Sequence, residues 1–359
     1  MFIRLSALGD VVHTLPAAQA LKNYLPDTRI SWVAEAPQLE LLKNNPVVDE
    51  VIEMPKSVWR EAISDPGKWL QTSLEVKEFF SDLKKRKFDV SVDFQGLMKS
   101  AVVGYAASIP VRLGYKGLKE RSDIFYTEKL DVGDFNNPDI HIIEHHLRLS
   151  EFLLRVMGHR DVEFKGKPQF SLPESTSKSR EKIDLIINQS RNKEKKTVVL
   201  IPGTTWETKI WPYDKWASLV EKLAETGDYR FVLVGGPADT KTSSNIVSMI
   251  NDRSPGATIV DATGKTDLID LIELFKRSAL VIGLDSGPVH LAAAVRDTNV
   301  VAIHGATPWG RNRPYGGTTI QLDLSCQPCF KRVCPLGTIE CLTDLNAEMV
   351  LEHVKRFLD

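Results

Sequence analysis

The feature that most limits what this chain can fold into is a unit that recurs along it: a short β-rich apolar run, a loop holding glycine, and then a helix. Its clearest copy is Ala279 to Val295, ALVIGLDSGPVHLAAAV. The run Ala279–Ile282 breaks at Gly283, presents Asp285, Ser286 and Gly287, and passes through His290 into the small helix formers Ala292–Ala294. A buried parallel strand is a short apolar run ended by glycine, and the next helix opens on a capping residue such as Asp285 or Ser286. Such a loop aims unpaired backbone N–H groups, at the positive end of a helix dipole, past the strand's carboxyl end. An anion such as a phosphate suits that place.

The same plan opens the chain. Phe2–Leu5 reads as a strand, Ser6–Asp10 as a loop containing Gly9, and Val11–Tyr24 as a helix with Val12, Leu15, Ala18 and Leu21 at helical spacing. Ile30–Ala34 is a second strand, Leu39–Lys43 a short helix and Val51–Ile52 a third strand. Ser73–Lys85 is an amphipathic helix, and Phe88–Phe94 is a strand ending in Asp93 before a further helix. Between Tyr126 and Leu172 a polar segment precedes a helix over 141–157 and an irregular stretch, and Lys178–Asn192 reads as a bridging helix. A fresh series starts at Thr197 with strands at VVLIP, Phe231–Val234 and Thr258–Val260, then helix Leu268–Lys276, then the Ala279 unit. Alternating strands and helices imply right-handed crossovers and parallel sheets. At 359 residues the chain exceeds one ordinary core. The expectation is α/β: two doubly wound domains with a cleft between them, and ligands outside the carboxyl ends of the strands.

Charge narrows the function. The 46 basic and 47 acidic residues nearly cancel, which excludes a surface basic as a whole, so no nucleic-acid partner is expected. No apolar run approaches the ~20 residues that span a bilayer, and no secretory signal follows Met1. A cytoplasmic protein is expected.

Four places can carry chemistry. The Asp285-Ser286-Gly287 loop fits a plain helix cap as well as a phosphate site, but a cap has no need of His290 inside the first turns of the same helix. The loop Gly203–Trp211, GTTWETKIW, offers Thr204, Thr205 and Lys209 to a diphosphate, or is a threonine-rich turn with a solvated lysine. Asp10 caps its helix or acts as a general base for a hydroxyl, with Gly9 allowing close approach; Asp93 could do either. Cys326, Cys329, Cys334 and Cys341 suggest zinc or iron–sulfur ligation, yet their intervals of three, five and seven residues do not make matched pairs, and a thiol cluster or local disulfide fits too. Lys99, Arg112, Lys116, Lys119 and Arg121 form a local basic group that is either solvated or ready for a phosphorylated or carboxylated acceptor.

Taken together, RLSALGDVVHTLPAAQALK from Arg4, DFQGLMKSA from Asp93, PGTTWETKIWP from Pro202, VLVGGPAD from Val232, TGKTDL from Thr263, GLDSGPVHLAAA from Gly283 and CQPCFKRVCPLGTIEC from Cys326 resemble the ADP-heptose:lipopolysaccharide heptosyltransferases, glycosyltransferase family 9. The resemblance runs in order from about Arg4 to Leu345. It departs at Ser286, where the family more often has threonine, and in a short first strand that could fray. It implies a GT-B fold, two Rossmann-like domains facing across a cleft. Residues 1–175 would be the acceptor domain, 176–345 the nucleotide-sugar domain, and 346–359 a helix crossing back to the first.

The resemblance makes Asp10 the catalytic base. It puts Thr204, Thr205 and Lys209 on the donor diphosphate, and Asp285, Ser286, Gly287 and His290 around the phosphates and sugar. Gly264, Lys265 and Thr266 match the adenosine-side loop. The implied reaction is inverting transfer of L-glycero-D-manno-heptose from ADP-heptose to a hydroxyl of the lipopolysaccharide inner core, Kdo or heptose, with no cofactor and no metal. The enzyme would be a monomer touching the inner membrane through its lipid-linked acceptor. A nucleotide-sugar epimerase or hydrolase, or a non-enzymatic nucleotide sensor, would use the same scaffold, since fold does not fix reaction.

Overall fold

In the computed structural model, which describes residues 1–118, 120–188 and 195–358, the chain divides into two compact units, Met1–Pro173 and Glu174–Asp359. In the first unit β1 (Phe2–Ile3) leads to α1 (Leu8–Tyr24), β2 (Ser31–Ala34) to α2 (Leu39–Leu42), and β3 (Glu50–Glu53) to α3 (Lys56–Ile63) and α4 (Trp69–Lys85). Then come β4 (Val90–Asp93), α5 (Met98–Ala106), β5 (Val111–Tyr115), β6 (Glu128–Leu130) and α6 (Ile142–Val156). The second unit runs α7 (Ser177–Ile187), β7 (Lys196–Ile201), α8 (Tyr213–Thr226), β8 (Tyr229–Leu233), α9 (Thr240–Arg253), β9 (Thr258–Asp261) and α10 (Leu268–Lys276). It continues with β10 (Leu280–Leu284), α11 (Gly287–Ala294), β11 (Val300–Ile303), α12 (Trp309–Asn312), β12 (Thr318–Ile320), α13 (Glu340–Thr343) and α14 (Ala347–Val354).

Each unit holds one six-stranded sheet, and every pair of neighbouring strands is parallel. The orders are β3-β2-β1-β4-β5-β6 and β12-β11-β10-β7-β8-β9. Counted within its own unit, each sheet therefore has the order 3-2-1-4-5-6, with the reversal of direction between its first and fourth strands. In open α/β sheets ligands bind at that reversal. The two places so marked are the loops after β1 and β4 and the loops after β7 and β10.

The short first strand is not frayed. Phe2 and Ile3 pair with Trp32 and Val33 on one side and with Val92 and Asp93 on the other. Beyond them, Glu35 N–H donates to the Leu5 carbonyl at 2.9 Å and Phe94 N–H to the Ile3 carbonyl at 3.1 Å. In the second sheet Gly283 pairs with Ile201, and a Cβ there would lie 2.4 Å from Val289 Cγ2 and 2.8 Å from Ile201 Cβ. Only glycine lets α11 come this close to β10 and β7, which puts the Asp285 loop directly over the sheet's edge.

Several elements lie outside the sequence expectation. Helix α3 is additional, and α4 begins at Trp69 rather than Ser73, because Asp65 accepts from Gly67 N–H at 3.0 Å and caps a short turn that feeds it. The strands β5, β6, β11 and β12 complete the sheets. The bridging helix is described over Ser177–Ile187, and residues 189–194 lie outside the described residues. For the terminal segment 346–359, expected to cross back to the first unit, Val350, Val354 and Leu358 are buried in the second unit's own core, beside Trp211 and Trp216. Asn346 caps this helix by accepting from Met349 N–H at 2.9 Å, and Leu345 C=O accepts from Trp211 Nε1–H at 2.8 Å.

Candidate active site

The second unit gathers its polar groups where β7 and β10 part. Asp285, at the end of β10, is 5% exposed. Its Oδ2 lies 2.7 Å from Lys209 Nζ and also accepts from Thr307 Oγ1–H, and its Oδ1 lies 3.4 Å from His290 Nε2 on α11. Lys209 comes from the loop after β7, Thr307 from the loop after β11. Burial by itself would push the Asp285 carboxyl up. The groups around it, His304 first and then His290 and Lys209, outweigh burial and hold it well below the usual carboxylate range. His304, wholly buried at the end of β11, is itself pushed down to about 4 by burial. At neutral pH it is uncharged, so the cation that balances Asp285 there is Lys209.

Lys209 is held from a second side by Trp206. Its ammonium stands 4.6 Å from the centre of the Trp206 ring, and the guanidinium of Arg332 stands 5.3 Å from the centre of the same ring. Of the three N–H donors on an ammonium, one points to Asp285, and no second hydrogen-bond acceptor for Lys209 is found among the described residues. Ser286 precedes α11 as its cap residue, yet its hydroxyl makes no capping bond and has no hydrogen-bond partner among the described residues. Gly287 opens the helix. Thr204 is half-buried and Thr205 exposed in the loop that carries Lys209. Sequence reasoning thus named Thr204, Thr205, Lys209, Asp285, Ser286, Gly287 and His290, which lie on the two loops at this reversal and on the start of α11.

Gly264, Lys265 and Thr266 fall elsewhere in the same unit. They follow β9 at the edge of the sheet, with β8 between them and β7. Gly264 takes a φ of +72° and donates to the Gly235 carbonyl at 2.9 Å, and Lys265 Nζ donates to the Asp261 carbonyl at 2.6 Å. The cysteine segment has a supporting part. All four cysteines are free, and among the described residues no group of three or more His, Cys, Asp or Glu is arranged to hold a metal ion. Burial first, and then the other three sulfurs, push the Cys341 thiol up to about 11. The same segment backs the Lys209 loop, through Thr208 Oγ1–H to the Lys331 carbonyl at 2.5 Å and through Arg332 on Trp206.

The first unit's site sits where β1 and β4 part. Asp10 lies in the first turn of α1 with its side chain 45% exposed. One carboxylate oxygen meets Arg4 Nη2 at 2.7 Å, and the other accepts from Ala7 N–H at 3.1 Å. Arg4 is buried and anchored by Nη1–H to the Phe94 carbonyl at 2.7 Å, so β1 and the end of β4 together aim the Asp10 carboxylate. Asp93 is different in kind. It is 1% exposed and accepts from Tyr126 Oη–H at 2.7 Å, Ser100 Oγ–H at 2.8 Å, Gln95 N–H at 2.8 Å and Gly96 N–H at 3.1 Å. Burial raises its carboxyl despite these donors. It organises the turn into α5 and has no accessible face for a substrate.

The expected basic group disperses. Arg112 donates to the carbonyls of Phe125 and Ile109, Lys116 pairs with Asp131 at 2.9 Å on the surface, Arg121 adopts a left-handed turn, and Lys119 lies outside the described residues. Lys99 stands beside Lys56, which the sequence reading did not name, and burial and then Lys56 lower its proton affinity. Arg4, Trp206, His304, Thr307 and Arg332 were also missed. The run VVAI at 300–303 followed by His304-Gly305 repeats the strand and glycine-loop rule and would have flagged His304 and Thr307.

Two α/β units of one topology, each a six-stranded parallel sheet with polar groups at its strand-order reversal, make a GT-B fold. Residues 76–340 match glycosyltransferase family 9 (heptosyltransferase), and the chain belongs to that family. It is 30% identical to lipopolysaccharide heptosyltransferase 1 of Campylobacter coli over 86% of this chain and 84% of that protein. It is 25% identical to lipopolysaccharide heptosyltransferase 1 of Pseudomonas aeruginosa over 100% of this chain and 97% of that protein. The solved structure of E. coli ADP-heptose lps heptosyltransferase II superimposes with a TM-score of 0.74 at 22% identity, covering 99% of this chain and 97% of that one. Among the described residues no helix is long and apolar enough to cross a membrane.

Proposed function

We propose that the chain is an inverting heptosyltransferase that moves L-glycero-D-manno-heptose from ADP-heptose to a hydroxyl of the lipopolysaccharide inner core. The observation that carries this reading is the Lys209–Asp285 pair at the β7/β10 reversal, with an unengaged Ser286 hydroxyl and the amino end of α11 beside it. A diphosphate placed there meets a fixed ammonium, a free hydroxyl and the positive end of a helix. In the first unit, Asp10 accepts the proton of the acceptor hydroxyl as its oxygen attacks the anomeric carbon. The bond from that carbon to the diphosphate oxygen breaks from the opposite side, and Lys209 and the α11 amides take up the negative charge of the departing ADP. The charge is met by protein groups, so the proposed chemistry has no step that calls for a metal.

The relatives named for lipopolysaccharide supply the acceptor class. The experiment is mass spectrometry of the product formed from ADP-heptose and a panel of truncated inner-core acceptors ending in Kdo or in heptose. The expected product is one heptose heavier than one acceptor of the panel. Turnover of ADP-heptose with no acceptor present would instead make the enzyme an epimerase or hydrolase, and binding of ADP-heptose with no turnover at all would make it a sensor.

A further inference from the structure

The cysteine segment holds a cluster of thiols that no step above uses. Cys326, Cys329, Cys334 and Cys341 are all free, and the first three are each near enough to Cys341 to help raise its thiol. Cys341 is buried at the start of α13, while the other three are partly or fully exposed on the loop that precedes it. What holds the Cys334 sulfur is a cradle of amides. The turn after it, with Gly337 at a φ of +73° and Ile339 at +53°, brings the backbone N–H groups of Leu336, Gly337, Thr338 and Ile339 onto that sulfur. A run of inward-facing amides stabilises an anion, and here the anion is a thiolate. The amide of Ile339 first, and then that of Leu336, hold the Cys334 thiol below its ordinary value. A partly exposed thiolate is the form of cysteine that attacks sulfur.

The same thiols flank the brace behind the Lys209 site. Between Cys326 and Cys334, Gln327 Nε2–H donates to the Gly305 carbonyl at 2.7 Å and Phe330 N–H donates to the Ala306 carbonyl at 3.0 Å. The Lys331 carbonyl takes the Thr208 hydroxyl in the same stretch. Gly305 and Ala306 join His304 to Thr307, and Thr208 precedes Lys209, so one short segment supports the groups around Asp285 from two loops. The far side of the cluster closes the same packing. A Cβ on Gly305 would lie 2.5 Å from the Thr208 carbonyl oxygen and 3.0 Å from Cδ1 of Leu342, the residue after Cys341.

We propose that Cys334 is a thiol–disulfide exchange site for low-molecular-weight disulfides, and that loading it loosens the brace behind Lys209. The Cys334 thiolate attacks one sulfur of a disulfide RS–SR. The bond from Cys334 Sγ to SR forms, the RS–SR bond breaks, and the departing RS⁻ takes a proton from water. A second cysteine of the cluster, as its thiolate, then displaces RS⁻ from Cys334 Sγ, so that two protein thiols are oxidised and RS–SR is reduced to two RSH. Either product replaces the thiolate with a neutral sulfur, a weaker acceptor, and the four amides lose their anion. The effect on Lys209 rests on the reading of the second unit as the donor side, whereas the exchange site does not. The test exposes the full chain, reduced and then freed of reductant, to oxidised glutathione near neutral pH, with peptide mapping by mass spectrometry over time. Cys334 should take up glutathione, or enter a disulfide with another cysteine of the segment, about tenfold or more faster than Cys326, although Cys326 is the more exposed. Cys334→Ser keeps an acceptor for the amides and should abolish the fast reaction, which should persist in Cys326→Ser. Oxidation of the parent should weaken ADP-heptose binding by about fivefold or more, dithiothreitol should restore it, and Cys334→Ser should show neither change. No reaction, Cys326 reacting first, or thiols that react only after a metal chelator is added overturns the exchange site. Modified Cys334 with unchanged ADP-heptose affinity overturns its coupling to Lys209. A reduced parent that fails to bind ADP-heptose would instead sink the donor reading and leave the exchange site standing.

Discussion

The two units repeat one topology and use it to opposite ends. In the second, a carboxylate at the sheet reversal is buried and tied to a lysine, a threonine and a histidine, and His304, His290 and Lys209 hold it well below the usual carboxylate range against the push of burial. In the first, the corresponding region presents a half-exposed carboxylate, Asp10, held by one guanidinium oxygen-to-nitrogen contact and one amide. Burial decides the difference. A carboxylate surrounded by donors inside the protein can orient cations but has no route to a substrate proton, while one with nearly half its side chain exposed has lone pairs facing outward. On this contrast the proposed mechanism uses Asp285 to position Lys209, and its proposed base, Asp10, is the carboxylate of the two that a substrate proton can reach. The contrast can be broken by exchanging which site a substitution disables.

The largest effect is expected at Asp10. Asp10→Asn keeps the shape and one acceptor oxygen but removes the base, and transfer should fall by about 10²–10⁴-fold, the usual worth of a positioned general base. ADP-heptose affinity should be unchanged, because the groups proposed to hold the donor are in the other unit. Steady-state transfer and donor titration on the same protein check this. Transfer within a few-fold of the parent would remove Asp10 as the base, and loss of donor binding would give it another role.

Lys209 should show the opposite signature. In Lys209→Met, Asp285 stays buried without its cation, and breaking a buried pair from one side costs roughly 3 kcal/mol. Stability and ADP-heptose affinity should fall together, the latter by about tenfold or more, with slower transfer as a third consequence. Chemical denaturation and donor titration measure the two. A variant as stable as the parent would mean that Asp285 finds another counter-charge in Lys209's place.

This division was only partly legible in the sequence. Short apolar runs followed by a glycine-containing loop marked β1, β7 and β10, and hence Asp10, Thr204, Lys209 and Asp285, because a parallel strand buried on both faces has little polar alternation to obscure it. Strand β5, VRLGY, and edge strand β12, TTI, carry polar residues and lack that signature. What separates Asp10 from Asp285 was not legible at all. Both are carboxylates at βα junctions, and their settings depend on Arg4, which is anchored on the Phe94 carbonyl beyond β4, and on Thr307 and His304, which arrive from the end of β11. The Lys56–Lys99 approach is hidden for the same reason, since α3 follows β3 and α5 follows β4 at distant positions in the chain.

The acid side of the second site gives a smaller, purely thermodynamic prediction. His304 stays neutral in the folded protein down to about pH 4, whereas in the unfolded chain it takes a proton near the ordinary histidine value of 6.5. As pH falls from 6.5 to 4, the unfolded state gains a proton that the folded state refuses, and stability drops by up to ~3 kcal/mol. Asp285, whose carboxyl is depressed, contributes stability that is full above its unfolded value and is lost only at lower pH, as its folded carboxyl protonates. His304→Gln should therefore flatten the stability profile between pH 6.5 and 4 and leave the fall at lower pH in place. An unchanged slope in that window would show that another group carries it.

The smallest effect is the sharpest probe of what the second unit is prepared for. Ser286 caps α11 without a capping hydrogen bond, and its hydroxyl is buried with no partner. A serine kept only for the fold would lose stability on truncation, typically about 1 kcal/mol at a working cap. Here Ser286→Ala removes nothing that the folded protein uses, so stability should stay within ~0.5 kcal/mol of the parent. If the hydroxyl waits for a phosphate oxygen, ADP-heptose affinity should fall by about tenfold, the lower range for a hydrogen bond to a charged group, and Ser286→Thr should restore it. Thermal unfolding and donor titration separate the two roles. A stability loss with unaltered donor affinity would make Ser286 a cap after all, and the amino end of α11 would then hold the diphosphate by its backbone amides alone.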